Sequence, residues 1–493
     1  MELGRRIQSK SSQKSVRILG IPAGQLVYLM IDDKAQLFNN ANNSRNRCPR
    51  ALLSRSSQQH KMTRTRRGIL AIVGSSIAIF WPGALIFGYP GVMSPYWRDL
   101  FQVGTGATGN VMFFILAAVG IFMFVAGKWQ ERIGAKLTVS IGIIICGSSL
   151  FIASYATNIY LVYLWAFLIG VGSCFVYITG LTVVQRWFLQ RRGLSSGIVN
   201  LFFGLSAAIM APVFASLLKT WGYVQMNTLI AVLTIVVGIT AAQFVQTPER
   251  ANHAAKSSAA PEDGTQAGTR QPSSEGENAA SNRLKTSVLL GESFTLKEAI
   301  RTKSFWFLWL TWAFQGAAGI AMVTLSVAFG LAAGLPMESA VLLLTAFNLT
   351  NGFSRLISGF ASDILPRSLT LSLTFFAAAV AYFVLPHISS LAAMAILVAV
   401  IGFAFGTMFS VSAPLASDCF GLKHFGAIFG LVFTAYGFLS GFLGPSLSGY
   451  LLDLTGGNFI SVFTYLGTFC VLSGFLVTRV APPERRSPEE SHK

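Results

Sequence analysis

Charged side chains are scarce in this chain: Asp, Glu, Lys and Arg make up 11% of its 493 residues, where soluble domains carry about a quarter. So little charge cannot cover the surface of a soluble protein of this length, whereas a chain that faces lipid needs little. Cysteine pairs are missing as well. Cys48, Cys146, Cys174, Cys419 and Cys470 form no CxxC motif, and three of them lie inside apolar runs, which excludes a disulfide scaffold or a zinc ribbon. The five histidines, at 60, 253, 387, 424 and 492, are scattered, and no nucleophile stands beside a base. No catalytic residue, metal or cofactor can be assigned, so the chain is not expected to be an enzyme. Short alternating segments of the β-barrel kind are absent too.

What the chain has is apolar sequence, 53% of it, with a mean hydropathy of +0.59. Runs of about 20 residues, enough to span a bilayer core of roughly 30 Å, fall near 69–90, 107–127, 137–155, 159–184, 194–218 and 223–245. They resume near 304–333, 338–360, 369–386, 390–416, 424–450 and 458–479. The expected fold is an all-α polytopic membrane protein with twelve spans in two sets of six. It divides into a basic tail (1–65), a six-helix bundle (66–246), a linker (247–303), a second bundle (304–480) and a short tail (481–493).

The net charge of +18 does not point to nucleic acid. Of 37 Lys and Arg residues, 14 lie in 1–68 and 8 in 246–303, with no aromatic-studded basic surface beside them. Loops on one side carry Lys128, Arg132 and Lys136, then Arg186, Arg191 and Arg192, then Arg367, then Lys423; the alternate loops hold only Arg98 and Lys219. That asymmetry places both termini and the linker in the cytoplasm, in a plasma-membrane protein. The expected partners are the lipid bilayer and a small solute, with no nucleic acid, and the chain is expected to act as a monomer. The N-terminal tail reads as an unfolded segment, a surface-binding segment or an over-extended translation start, since "MTRTRRGILAIVG" from Met62 would itself begin a polytopic protein; its composition favours absence of a fold. Residues 246–292 read as a flexible linker. Beyond it, Thr295 and Glu298 form a T-x-x-E capping pattern that predicts a short helix before span seven.

The two halves repeat. Gly193, Gly197, Gly204 and Pro212 recur 233 positions later as Gly426, Gly430, Gly437 and Pro445, and Gly127 and Glu131 recur at 232 as Gly359 and Asp363. A duplicated six-helix unit is an architecture of transporters, with a central site between halves.

"GKWQERIGAK" (127–136) resembles the G-x-x-x-D-R-x-G-R-[RK] loop of the major facilitator superfamily, with Glu131 in place of the usual Asp, and "GFASDILPR" is its counterpart in the second half. The resemblance implies a cytoplasmic latch of Gly127, Glu131, Arg132, Gly134, Gly359 and Asp363. Within that superfamily, "QRWFLQRRGLSSGI" (185–198), "FTLKEAIRTKSFWFLW" (294–309), "NGFSRLISGFASD" (351–363) and "FTAYGFLSGFLGP" (433–445) resemble the oxalate/formate antiporters, relatives of the monocarboxylate transporters. The similarity covers roughly 66–480.

One cation stands out. Arg355 is the only Lys or Arg inside an apolar span and away from its ends, and no Asp or Glu joins it. A guanidinium at that depth costs about 2.5–3.5 kcal/mol, so it either snorkels to the nearby interface or holds an anion in a fork that matches carboxylate. Asn351 and Asn348 lie four and seven residues earlier, on the same helix face, and favour the second reading. The resemblance places Arg355 where those transporters bind the substrate carboxylate. It also exposes two departures. The second cation of the oxalate carriers, a lysine in helix eleven, is replaced by Tyr436, which suits a monocarboxylate (formate, lactate or pyruvate) better than a dianion. The proton-relaying Asp and the helix-one Lys of the animal carriers match Asn351 and, approximately, Gly91, which favours anion exchange over proton symport. Tyr89 completes the expected substrate set, with Tyr177, Trp312 and Gln315 as weaker candidates. The alternatives are proton-linked monocarboxylate symport, oxalate/formate exchange, efflux of an amphiphilic solute, and a transporter-like sensor.

Overall fold

A computed structural model of the chain describes residues 50–188, 192–248, 293–421 and 424–483, without the side chains of 50–64, 192–194 and 363. The tail up to residue 49, the linker 249–292, residues 484–493 and the Asp363 side chain therefore lie outside the described residues. Those that are described form helices and no strands. Twelve of the helices are long and apolar enough to cross a membrane: α1 (Thr65–Phe101), α2 (Thr105–Ile133), α3 (Ala135–Ser154), α4 (Ile159–Trp187), α5 (Ser195–Trp221), α6 (Tyr223–Ala242), α7 (Lys303–Ala332), α8 (Met337–Ser362), α9 (Arg367–His387), α10 (Leu391–Phe420), α11 (Phe425–Leu454) and α12 (Phe459–Thr478). Most are longer than the apolar runs that announce them, because polar termini carry the helix beyond the hydrocarbon.

Local signals set the ends. Side-chain oxygens of Asn158, Thr302 and Asn458 accept from the first backbone N–H groups of α4, α7 and α12, donors that a helix start otherwise leaves unpaired. Gly134 (φ 91°) turns α2 into α3, a left-handed conformation that a side chain would strain. Before α7, Thr295 and Glu298 exchange bonds with each other's backbone N–H in a capping box that starts the short helix Leu296–Ile300. α1 runs further than its apolar run, through a break at Gly88 into Tyr89–Phe101. Pro90 supplies no N–H there.

Charged groups are rare inside, Arg355 being the one among the described residues, while buried Ser and Thr are common. The interior is aliphatic and aromatic, while Phe124, Phe360, Val380 and Phe475 point outward, as a lipid-facing surface requires. α8 packs on α10 in its own half and on α5 in the other; α2 packs on α4 and on α11. Glycines set both crossings between halves. A Cβ on Gly204 of α5 would meet Gly352 Cα of α8 at 2.6 Å, and one on Gly437 of α11 would meet Gly120 Cα of α2 at 2.8 Å. The repeat maps these crossings onto each other, since Gly120 and Gly352 are 232 positions apart and Gly204 and Gly437 are 233 apart.

From the crossings to the end opposite the basic loops, the halves stay in contact. The N-terminal N–H groups of α2 lack a cap from their own segment and donate instead to Asp453 of α11, Thr105 N to Oδ1 and Gly106 N to Oδ2, each at 2.8 Å. Lys219 of α5 pairs with Glu338 of α8 at the same end. Toward the basic-loop end α5 still meets α8 at Gly197 and Leu356, beyond which Gly127 of α2, Gly359 of α8 and Gly426 and Gly430 of α11 face open space.

Candidate functional site

Arg355 lies one turn beyond the α5–α8 crossing, where the halves begin to part. It is 3% exposed, and no other Lys, Arg, Asp or Glu is buried among the described residues. Its head group does not reach an interface. Nη2 donates to Asn351 Oδ1 at 3.5 Å, one turn back on α8, and Nη1 donates to Asn200 Oδ1 of α5 at 3.2 Å. The same Asn200 oxygen accepts from Tyr177 Oη of α4 at 2.8 Å. Two rings shield the guanidinium, Phe409 of α10 with its centroid at 4.8 Å and Phe203 of α5 at 5.6 Å, both within the range of a favourable cation–ring contact.

Arg355 Nε and Asn351 Nδ2 are buried donors without a hydrogen-bond partner. Tyr436 adds a third: its ring meets Phe409 edge-on at 5.4 Å, and its buried hydroxyl has no partner either. Buried donors of this kind are normally satisfied, so three of them in one cluster suit a multivalent acceptor such as a carboxylate. Trp312 of α7 joins the cluster through Phe409 and Tyr436, and its Nε1 is likewise unpartnered.

α11 is distorted where it contributes. Ala435–Ser440 and Phe442–Ser446 are π-helical turns, a local widening often found at functional positions. Pro445 has no N–H to offer the Gly441 carbonyl one turn back, which accepts from Ser446 Oγ at 3.4 Å, and Tyr465 Oη lies within hydrogen-bond distance of the Leu443 and Gly444 carbonyls, at 3.2 and 3.3 Å. Ser440 Oγ, at 2.9 and 3.0 Å, donates to Trp312 and Ala313 of α7, fixing α11 against that helix.

Of the residues singled out by sequence, Arg355, Asn351 and Tyr436 are brought together. Asn348 is not a free donor. Its Nδ2 bonds the carbonyls of Phe87, at the α1 break, and of Leu344, so it staples α8 to α1. Tyr89 belongs elsewhere: its hydroxyl donates to Asn227 Oδ1 at 2.6 Å, and its ring packs among Trp97, Trp165 and Phe214. The helical phase after Gly88 turns it into the first half rather than toward Arg355. For the latch, the Asp363 side chain lies outside the described residues. Glu131 and Arg132 are exposed and belong to neither of the two ion pairs among the described residues, Lys219–Glu338 and Arg367–Asp418. The halves stand apart at that end. Only Gly134 performs a visible task there, in the α2–α3 turn.

Sequence reading missed Asn200, Phe203 and Phe409. The repeat carries the signal for the two phenylalanines: Tyr177 and Phe409 are 232 positions apart, and Phe203 and Tyr436 are 233 apart. Each pair is one Tyr and one Phe on equivalent helices; the phenylalanines lie over the guanidinium and the tyrosines bring hydroxyls.

Comparison with known proteins gives the following. The family model of the Major Facilitator Superfamily matches residues 69–442 and, in a second match, 318–493. The chain is 26% identical over 335 residues to an oxalate:formate antiporter of Oxalobacter formigenes, covering 66% of this chain and 72% of that one. It is 24% identical over 407 residues to monocarboxylate transporter 2 of Meriones unguiculatus, covering 79% of each. Among solved structures, a bacterial homolog of the human lysosomal transporter Spinster, inward-facing and occupied, superposes with a TM-score of 0.61 at 12% identity over 86% of this chain and 99% of that one.

Proposed function

The chain belongs to the Major Facilitator Superfamily, and from that premise we propose that it carries a small monocarboxylate across the membrane by alternating access. The observation that carries this reading is the single buried cation with unpartnered donors around it. A carboxylate beside Arg355 accepts in bidentate fashion from the guanidinium, with Asn351 Nδ2 and the Tyr436 hydroxyl donating from the sides. One positive charge balances one negative charge; a dianion would leave a buried charge uncompensated. Nor does α1 offer a second cation, because a side chain at Gly91 would meet the Val323 carbonyl at 2.2 Å. The relatives named for oxalate:formate antiport and for monocarboxylate transport support a small carboxylate as the solute, within which the single cation favours a monocarboxylate.

Direction and coupling follow from the same residues. With no carboxylate buried among the described residues, a protein-borne proton relay has no candidate there, which favours exchange of one anion for another over Asp-mediated symport. By loop charge, the end at which the glycines of α2, α8 and α11 meet open space faces the cytoplasm. Both termini then lie on that side of the plasma membrane, the two bundles act as a monomer, and the latch residues close that end during the other half of the cycle.

The test is counterflow in proteoliposomes with a panel of mono- and dicarboxylates. Formate, lactate or pyruvate should exchange, and Arg355→Gln should lose about 3 kcal/mol of transition-state binding, roughly a hundredfold in kcat/KM, while still reaching the membrane. Transport by Arg355→Gln at the normal rate, as expected of a carrier of apolar amphiphiles, rejects the proposal.

A further inference from the structure

Asn200 ties the two halves together through one oxygen. Its Oδ1 accepts from Tyr177 at 2.8 Å within the first half and from Arg355 at 3.2 Å across the interface. The set around the guanidinium is neutral and shared equally. Asn351 and Phe409 come from the second half, Asn200 and Phe203 from the first. Among them Arg355 is 3% exposed. An alternating-access carrier delivers net flux only if its halves can close without cargo. Closing over a cation that has no acceptor across the interface removes its solvation and returns nothing, which would confine the carrier to exchange.

We propose that Asn200 is a stand-in ligand for Arg355: its amide oxygen occupies the part of the guanidinium fork that a carboxylate oxygen takes, so the carrier returns without cargo and net flux accompanies exchange. The inference rests on the carboxylate reading above. In the loaded carrier the carboxylate displaces Asn200 from Nη1, and the amide stays held by Tyr177. Asn200 is thus a positioning residue that competes with the substrate, and its strength as an acceptor sets the balance between net movement and exchange.

The experiment uses the full chain in proteoliposomes loaded with labelled formate, lactate or pyruvate, whichever the wild type carries, with the potential clamped by potassium and valinomycin. Efflux is measured into buffer free of carboxylate and into buffer containing the same anion. The wild type should show net efflux at a readily measured fraction of its exchange rate. Asn200→Leu, of similar volume but with no acceptor, should lower the ratio of net efflux to exchange about tenfold, equivalent to about 1.4 kcal/mol. Asn200→Asp, a tethered carboxylate, should preserve that ratio and raise the exchange KM about tenfold. A merely structural residue would lower both rates together. An unchanged ratio in Asn200→Leu, or brisk wild-type exchange with no net efflux, overturns the proposal. If Asn200→Leu inserts poorly, Asn200→Asp decides, and an unchanged KM overturns it. Failure of the wild type to move any carboxylate in either assay instead overturns the substrate reading, and the role of Asn200 with it.

Discussion

At Arg355 shape matters as much as charge. The side chain reaches two amide oxygens on different helices and lies between two rings, a geometry that a planar fork satisfies and an ammonium does not. Arg355→Lys should therefore keep the charge yet lose at least about tenfold in kcat/KM, measured by initial uptake rates. Tyr436 tests the other side of the site. Its hydroxyl is buried with no partner, so Tyr436→Phe should raise KM by about tenfold, the worth of one hydrogen bond to a charged group, about 1.5 kcal/mol. Tyr436→Lys should move preference toward dicarboxylates in the same panel; unaltered selectivity would show that residue 436 does not face the solute. Arg355 and Asn351 were legible in the sequence because a polar stripe is costly in an apolar helix. Tyr89 was misjudged because its direction depends on the phase of α1 after Gly88. Asn200 was overlooked because one Asn in "GIVNLFFG" acquires its partners only when α5 meets α4 and α8.

All twelve spans were legible from their apolar runs, and of these α4, α7 and α12 add a side-chain cap at their start. Their irregularities were not. The π-helical turns in α11 leave no mark in "AYGFLSGFLGPS" beyond Gly and Pro, and the repeat offset of 233 runs through them unchanged. Crossings were half legible: the matched glycines indicated close contact, but not with which helix. Gly204→Ala should force the issue, because the added methyl meets the Gly352 backbone, at 2.6 Å from Cα and 3.0 Å from N, and backbone has little room to yield. The halves should be wedged apart at the end opposite the basic loops. A cysteine at Asn110, which bonds Tyr450 across that end, should then react faster with a water-soluble maleimide; the four described native cysteines are buried and give a low background. An unchanged reaction rate would mean that the crossing tolerates the methyl.

For the whole molecule, two of the contacts that hold that end closed differ in kind. Lys219–Glu338 is exposed at 74% and 62%, and such pairs contribute at most about 1 kcal/mol and fade with salt. Asp453 caps two N–H groups of α2 from the opposite half, and loss of a helix cap costs about 1 kcal/mol or more. Asp453→Ala should therefore shift the resting equilibrium toward the form open at that end by roughly fivefold to tenfold, read by the same Asn110→Cys reporter; Glu338→Gln should shift it less, and less again in high salt. A larger effect from Glu338 would reverse this ranking. The unequal repeat has a mechanical consequence. Asn348, Asn351 and Arg355 on α8 correspond, 232 positions earlier, to Leu116, Val119 and Met123 on α2, so the cation has no twin. Under the proposed cycle, cargo and counter-charge ride together on the second bundle, while the first slides past as a greased wall whose one sticky point is Asn200. The anion need never change hands between the halves, and the stroke can run in either direction over the same low ground.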